Sequence, residues 1–82
     1  MFFIVYALYS PKLNKIYIGQ TSDFDKRYYD HKKGYSRATS MTDDWEVVYK
    51  EECSSRSEAF KREKQLKSSK GREFIWENIK KK

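Results

Sequence analysis

Phe2 to Tyr9 (FFIVYALY) is a β-branched and aromatic run, too short for a comfortable helix, and Ser10-Pro11 ends it. That pattern predicts a buried strand. Pro11 to Asn14 reads as a turn and Lys15 to Gly19 (KIYIG) as a second strand, so short a connection making an antiparallel hairpin. A loop closing symmetrically around Pro11-Lys12 sets Tyr6 opposite Tyr17. A two-residue slip keeps both rings on one face, whereas a one-residue bulge splits them.

Ser22-x-x-Asp25 has the form of a capping box that opens a helix, and Gly34 closes it. Phe24, Arg27, Tyr28 and His31 fall at i, i+3, i+4 and i+7 and form one stripe. Residues 35–44 (YSRATSMTDD) are polar and read as a loop, and Trp45 to Lys50 (WEVVYK) alternates as a third strand. Ser55-x-x-Glu58 is a second capping box, starting a helix that runs to about Ser68. Gly71 then interrupts, and Glu73 to Ile79 forms a short last helix carrying Phe74, Ile75 and Ile79. The order β-β-α-β-α-α predicts an α+β fold, a small antiparallel sheet flanked by helices.

Length and composition narrow the class. The chain's 82 residues allow one domain, residues 1–82, and exclude a barrel or a doubly wound sheet. Seven Tyr, five Phe and two Trp argue for a folded chain, since disordered basic tails lack aromatics. The lone Cys53 forms no internal disulfide, which fits a reducing compartment. Phe2 to Leu8 is too short to span a bilayer and lacks the flanks of a leader, so the expectation is a soluble cytoplasmic protein. Residues 1–54 balance eight bases against eight acids, and residues 55–82 carry the whole +6. A basic C-terminal third suits a polyanion partner, nucleic acid foremost, and it equally suits a Lys-rich solvated surface.

One position breaks the helical pattern. Ala59, Phe60 and Leu66 form the apolar side of the second capped helix, and Glu63 sits in the middle of it. A carboxylate there is costly unless it is paired, hydrogen-bonded or bound to a cation. Arg27 and His31 break the stripe of the earlier helix in the same way. A buried Glu63–Arg27 ion pair with His31 at its edge accounts for part of this, and Tyr6 and Tyr17 also make good partners for plain packing across a hairpin. Two phenols, a guanidinium, an imidazole and a carboxylate together are more polar groups than one ion pair requires. They are the parts of a metal-assisted phosphodiester hydrolase, because Mg²⁺ needs few protein ligands and a guanidinium suits a phosphate. One Cys and one His cannot build a zinc site, and three glycines form no phosphate-cradling loop.

Ile4-Val5-Tyr6, ten residues, then Tyr17-Ile18-Gly19 resembles the paired signature of the GIY-YIG nuclease family, small stand-alone bacterial type. The likeness continues through Thr21 to His31 (TSDFDKRYYDH), Trp45 to Tyr49 (WEVVY) and Ser57 to Lys67 (SEAFKREKQLK), covering essentially the whole chain. It implies a metal-dependent endonuclease on DNA, acting in repair or recombination or on foreign, branched or single-stranded DNA. Tyr17 would be the general base and Tyr6 would orient the attacking water or share its proton. Arg27 would stabilise the pentacovalent phosphate, His31 would assist proton transfer or bind the phosphate, and Glu63 would hold one Mg²⁺ or Mn²⁺. Lys61, Arg62, Lys64, Lys67, Lys70 and Arg72 would contact nucleic-acid phosphates. Ile4 replaces the usual first glycine, and Gln20 stands where some relatives carry a catalytic Lys. A non-catalytic nucleic-acid-binding module, or an interaction subunit of a larger nuclease with a protein partner, stands as the alternative reading.

Overall fold

The computed structural model describes residues 2–80. Its elements are β1 (Phe3–Ser10), β2 (Lys15–Thr21), α1 (Phe24–Lys33), a 3₁₀ turn (Arg37–Thr39), β3 (Glu46–Cys53), α2 (Arg56–Lys67) and α3 (Ser69–Lys80). The three strands form an antiparallel sheet in the order β2-β1-β3. Because β1 is central and covered on both faces, Val5, Tyr6, Ala7 and Leu8 are all buried, which explains its continuous apolar run. One face packs Val5, Ala7, Ile18 and Cys53 against Ala59, Leu66 and Ile75 of α2 and α3. The other face packs Tyr6, Leu8 and Trp45 with Tyr17, Phe24 and Tyr28 under α1. The strand β2 is an edge.

The hairpin register differs from the symmetric expectation by two residues. Tyr6 pairs with Gly19 and Leu8 with Tyr17. The cause is a four-residue loop between Ser10 and Lys15, with Asn14 in the left-handed region at φ 53°. Ser10 Oγ accepts from Leu13 N at 3.1 Å and donates to Asp44 Oδ1 at 2.6 Å, while Asp44 Oδ2 accepts from Lys12 N at 2.9 Å. The hydrogen bonds from Ser10 and Thr42 hold the Asp44 carboxyl down at about 2. As the even slip requires, both tyrosine rings stay on the α1 face.

Other boundaries shift for local reasons. The cap of α1 is Asp23, whose carboxylate accepts from Lys26 N at 3.3 Å. Ser22 is displaced from that role because β2 runs on through Thr21, whose hydroxyl accepts from Asp23 N. The third strand starts after Trp45 and runs on to Cys53, with a register shift where Ala7 faces Tyr49 but Leu8 faces Val47. Ser55 caps α2 as expected, but Glu58 reaches back to Ser54, at both N and Oγ. Phe60 does not face the sheet. It is 55% exposed, and the apolar contact of α2 is made by Ala59 and Leu66.

Gly71 does not interrupt a helix; it lies inside α3. The chain breaks earlier, at Ser68, whose extended ψ of 168° ends α2 and whose Oγ accepts from Gly71 N at 3.3 Å. A Cβ on Gly71 would lie 2.1 Å from the Gln65 carbonyl oxygen and 2.4 Å from Leu66 Cα. An alanine gains about 1 kcal/mol of helix propensity over glycine but meets immovable backbone here. Gly71→Ala is therefore expected to destabilise the fold by about 1–3 kcal/mol net, read from the urea midpoint.

Candidate active site

Tyr6 and Tyr17 reach the α1 face from adjacent strands, with ring centroids 6.4 Å apart. Their approach depends on Gly19. A Cβ at that position would meet Tyr6 Oη at 2.8 Å and a Tyr17 ring carbon at 3.1 Å. The glycine of the Tyr-Ile-Gly tripeptide is thus the floor on which the Tyr6 phenol lies. From α1, the stripe Phe24, Arg27, Tyr28 and His31 closes over the phenols. Phe24 packs edge-on to Tyr6 at 5.4 Å, with its other neighbours Tyr28 stacked at 5.8 Å and Lys50 Nζ 4.2 Å from its ring centroid.

The polar atoms form a chain. Tyr6 Oη and His31 Nε2 are 2.8 Å apart, and His31 Nδ1 lies 2.6 Å from Thr39 Oγ1. Tyr6, His31 and Thr39 are all buried. The Arg27 guanidinium lies beside both phenols, and its charge acts on each of them. A guanidinium has only donors, so it draws lone pairs of the phenols toward itself and directs the Tyr6 proton to Nε2. Nδ1–H then donates to Thr39. The loop that carries Thr39 is fixed in turn, because Trp45 Nε1 donates to the Thr39 carbonyl at 2.9 Å and Tyr28 Oη to the Trp45 carbonyl at 2.9 Å.

Electrostatics agree with that proton arrangement. Burial, then the neighbouring Tyr17, push Tyr6 up to about 12 against the opposing pull of Arg27, so it is a neutral phenol near pH 7. Burial, then the Arg27 charge, lower the His31 pKa, with Asp30 opposing, so the imidazole is neutral with a lone pair at Nε2. For Arg27, burial works against the charge, but Tyr6 and Tyr17 outweigh it and raise its pKa.

Glu63 comes from α2, beyond the β2 edge, and its charge acts on Tyr6. It does not pair with Arg27. Its partner is Lys67, one turn on, with Nζ 2.7 Å from Oε2, and its own side chain is 20% exposed. Lys67 and Arg72 line a groove of about 390 Å³ along β2 with Ile16, Tyr17 and Ile18. That groove gives a ligand access to Tyr17, the less buried phenol. Lys61 borders a second groove beside Gln20, and Lys64 Nζ lies 5.7 Å from the Phe60 ring centroid. Lys70 lies on the outer side of the α2–α3 corner. Arg62 is committed elsewhere, donating to Glu51 at 3.0 Å and reaching Tyr49. Sequence reasoning passed over Thr39 and Trp45, which fix His31. Their only signal was one of two Thr within a polar loop and a Trp just after it.

Among the described residues no group of three or more His, Cys, Asp or Glu is gathered as a metal cage. One carboxylate beside a phosphate groove is the donor set of an ion that keeps its waters and takes substrate oxygens, as Mg²⁺ does. No helix among the described residues is long and apolar enough to cross a membrane. The sequence matches the family description "GIY-YIG catalytic domain" over residues 2–78. No curated protein and no solved structure matches the chain significantly.

Two outcomes follow from the buried chain. The folded pKa of His31 lies below its unfolded value, so the unfolded state binds more protons between the two. Stability is then complete above about pH 6.5 and falls as the pH drops through the folded value. Urea unfolding from pH 8 to 5 is expected to show that decline, and His31→Gln to flatten it. Gly19→Ala is expected to displace the Tyr6 hydroxyl and destabilise the fold by about 1–3 kcal/mol, read from the urea midpoint, while the His31 pH dependence, set by burial and Arg27, persists.

Proposed function

The chain belongs to the GIY-YIG family of nucleases, and from that premise we propose that it is an endonuclease hydrolysing DNA phosphodiester bonds with one Mg²⁺ or Mn²⁺. The setting we propose is repair or recombination, or the processing of foreign or single-stranded DNA. The observation that carries this reading is the convergence of Tyr6, Tyr17, Arg27 and His31 at the open edge of the sheet, with Glu63 across it.

Tyr17, bordering the groove, acts as general base in its phenolate form, its phenolic proton released to solvent through the groove before the proton of the attacking water is taken. The Tyr6 hydroxyl holds the reaction from beneath. Its proton already lies toward His31 Nε2, so a proton accepted at the Tyr6 oxygen is matched by one passed to the imidazole. Thr39 keeps Nδ1–H occupied and so keeps Nε2 free as the acceptor. Arg27 faces the phenols with a fixed positive charge, placed to stabilise the negative charge that develops on the phosphoryl oxygens. Glu63 would hold the divalent cation, which supplies positive charge for the leaving oxygen. Lys67 and Arg72 anchor phosphates along the groove.

One observation favours a non-catalytic binding module, namely that Lys67 already neutralises Glu63. Its strength is small. Lys67 is 55% exposed, and an exposed i,i+4 pair contributes about 0.3–0.5 kcal/mol, so a divalent cation or a substrate phosphate readily displaces it. Incubation with single-stranded, branched and duplex DNA in Mg²⁺ or Mn²⁺ tests the reading. Cleavage is expected to stop in EDTA and to fall at least about 100-fold in Arg27→Ala and in Glu63→Ala. Undiminished cutting in both variants would remove these residues from the site, and DNA retained in EDTA with no products in metal would establish the binding module.

A further inference from the structure

Beside the catalytic edge lies a second groove of about 570 Å³, lined by Gln20, Arg56, Ser57, Phe60 and Lys61. Three features of it have no use in the fold or in the hydrolysis. Phe60 is 55% exposed although helical spacing offers it to the core. Cations surround it: Arg56 and Lys61 line the groove, Lys64 Nζ lies 5.7 Å from its ring centroid, and Arg56 itself lies 4.9 Å over the Phe3 ring. Gln20 Oε1 is shut off from solvent and has no hydrogen-bond partner among the described residues. A buried acceptor in that state calls for a donor, and Gln20 borders the groove.

Resting on the nuclease reading, we propose that this groove holds one unpaired base of the DNA strand whose phosphate enters the catalytic edge. The base stacks on Phe60, the Gln20 side chain turns its unpartnered carbonyl outward to accept the Watson–Crick N–H, and Arg56 and Lys61 take the adjoining phosphates. Each ingredient matches that ligand. An exposed aromatic ring flanked by cations is the stacking platform of single-strand recognition and tolerates any sequence. Every one of the four bases carries an N–H donor on its pairing edge. The site therefore recognises that a base is unpaired and not which base it is, and in a duplex that edge is already occupied. No acidic side chain lines the groove, which suits a polyanion. Gln20 follows Tyr17 by three residues on β2, about 10 Å along the strand. By strand alternation Gln20 lies on the α2 face of the sheet and Tyr17 on the α1 face, so the base site is set along the β2 edge from the reacting phosphate, and the strand reaches it by passing over that edge.

The test is equilibrium binding of fluorescent oligonucleotides in EDTA, where no cleavage intervenes. Wild-type protein is expected to prefer a single strand or a flap to a blunt duplex. Phe60→Ala is expected to weaken single-strand binding about 5- to 100-fold, with Phe60→Trp restoring it. In a series of single abasic substitutions, one position is expected to weaken wild-type binding and leave Phe60→Ala unaffected. Gln20→Leu is expected to erode the preference for single strands over duplex. Equal affinity of wild type and Phe60→Ala, with circular dichroism showing both folded, would overturn the proposal, as would abasic losses identical in the two proteins. Cleavage in metal without that coupling retains the nuclease and removes the base site. Coupling without cleavage retains the base site and removes the nuclease.

Discussion

Tyr6 is a full phenol at 1% exposure in the central strand, and its hydroxyl is a group that cannot be left alone there. The surroundings are organised to satisfy it. Gly19 makes room, His31 accepts, Arg27 brings a positive charge beside the oxygen, and Thr39 fixes the ring that accepts. Because the bonds are in series, each residue sets the proton on the next. That arrangement yields a neutral phenol, a neutral imidazole and a charged guanidinium side by side, so the imidazole takes the phenol's proton without charge separation only when the phenol oxygen receives another in exchange. The same bonds join β1, β2, α1 and the loop after it into one unit, so stability and site geometry are maintained by the same contacts.

Much of this was legible in the sequence because it follows periodicity. The strand pair, the Phe24–Arg27–Tyr28–His31 stripe and the misfit of Glu63 all come from spacings of 2 or 3.6. What escaped was decided by contacts between distant positions. The hairpin register turned on how the four-residue loop closes, with Asn14 left-handed and Ser10 and Lys12 both bonded to the distant Asp44. Thr39 sits in a stretch with no period, and only the folded loop brings its hydroxyl to His31. Gly71 looked like a helix breaker because propensity is local, whereas its reason lies in the close crossing of two helix ends. Phe60 fell within the apolar spacing, yet α2 overhangs the sheet edge and turns only Ala59 and Leu66 inward. Glu63 was legible as an anomaly, but its immediate partner was not: the pairing expected with Arg27 is made with Lys67 on its own helix.

The sheet edge connects these observations. A bare edge strand invites pairing with another chain, and proteins ordinarily shield it. Here β2 is flanked by the cations Lys67 and Arg72 on one side and Arg56 and Lys61 on the other, so the same residues that discourage strand addition make the edge attractive to phosphates. Tyr17 lines the first groove, where a strand of nucleic acid following the edge would pass.

The corner between α2 and α3 has a bearing on that passage. Ser68 turns the chain, Gly71 lets the two helix ends touch, and Lys67 and Arg72 emerge on either side of the bend. A corner packed backbone to backbone behaves as a fixed caliper, holding the Cα positions from which its two cationic side chains spring at a set separation. Little backbone freedom then remains to be lost when adjacent phosphates arrive.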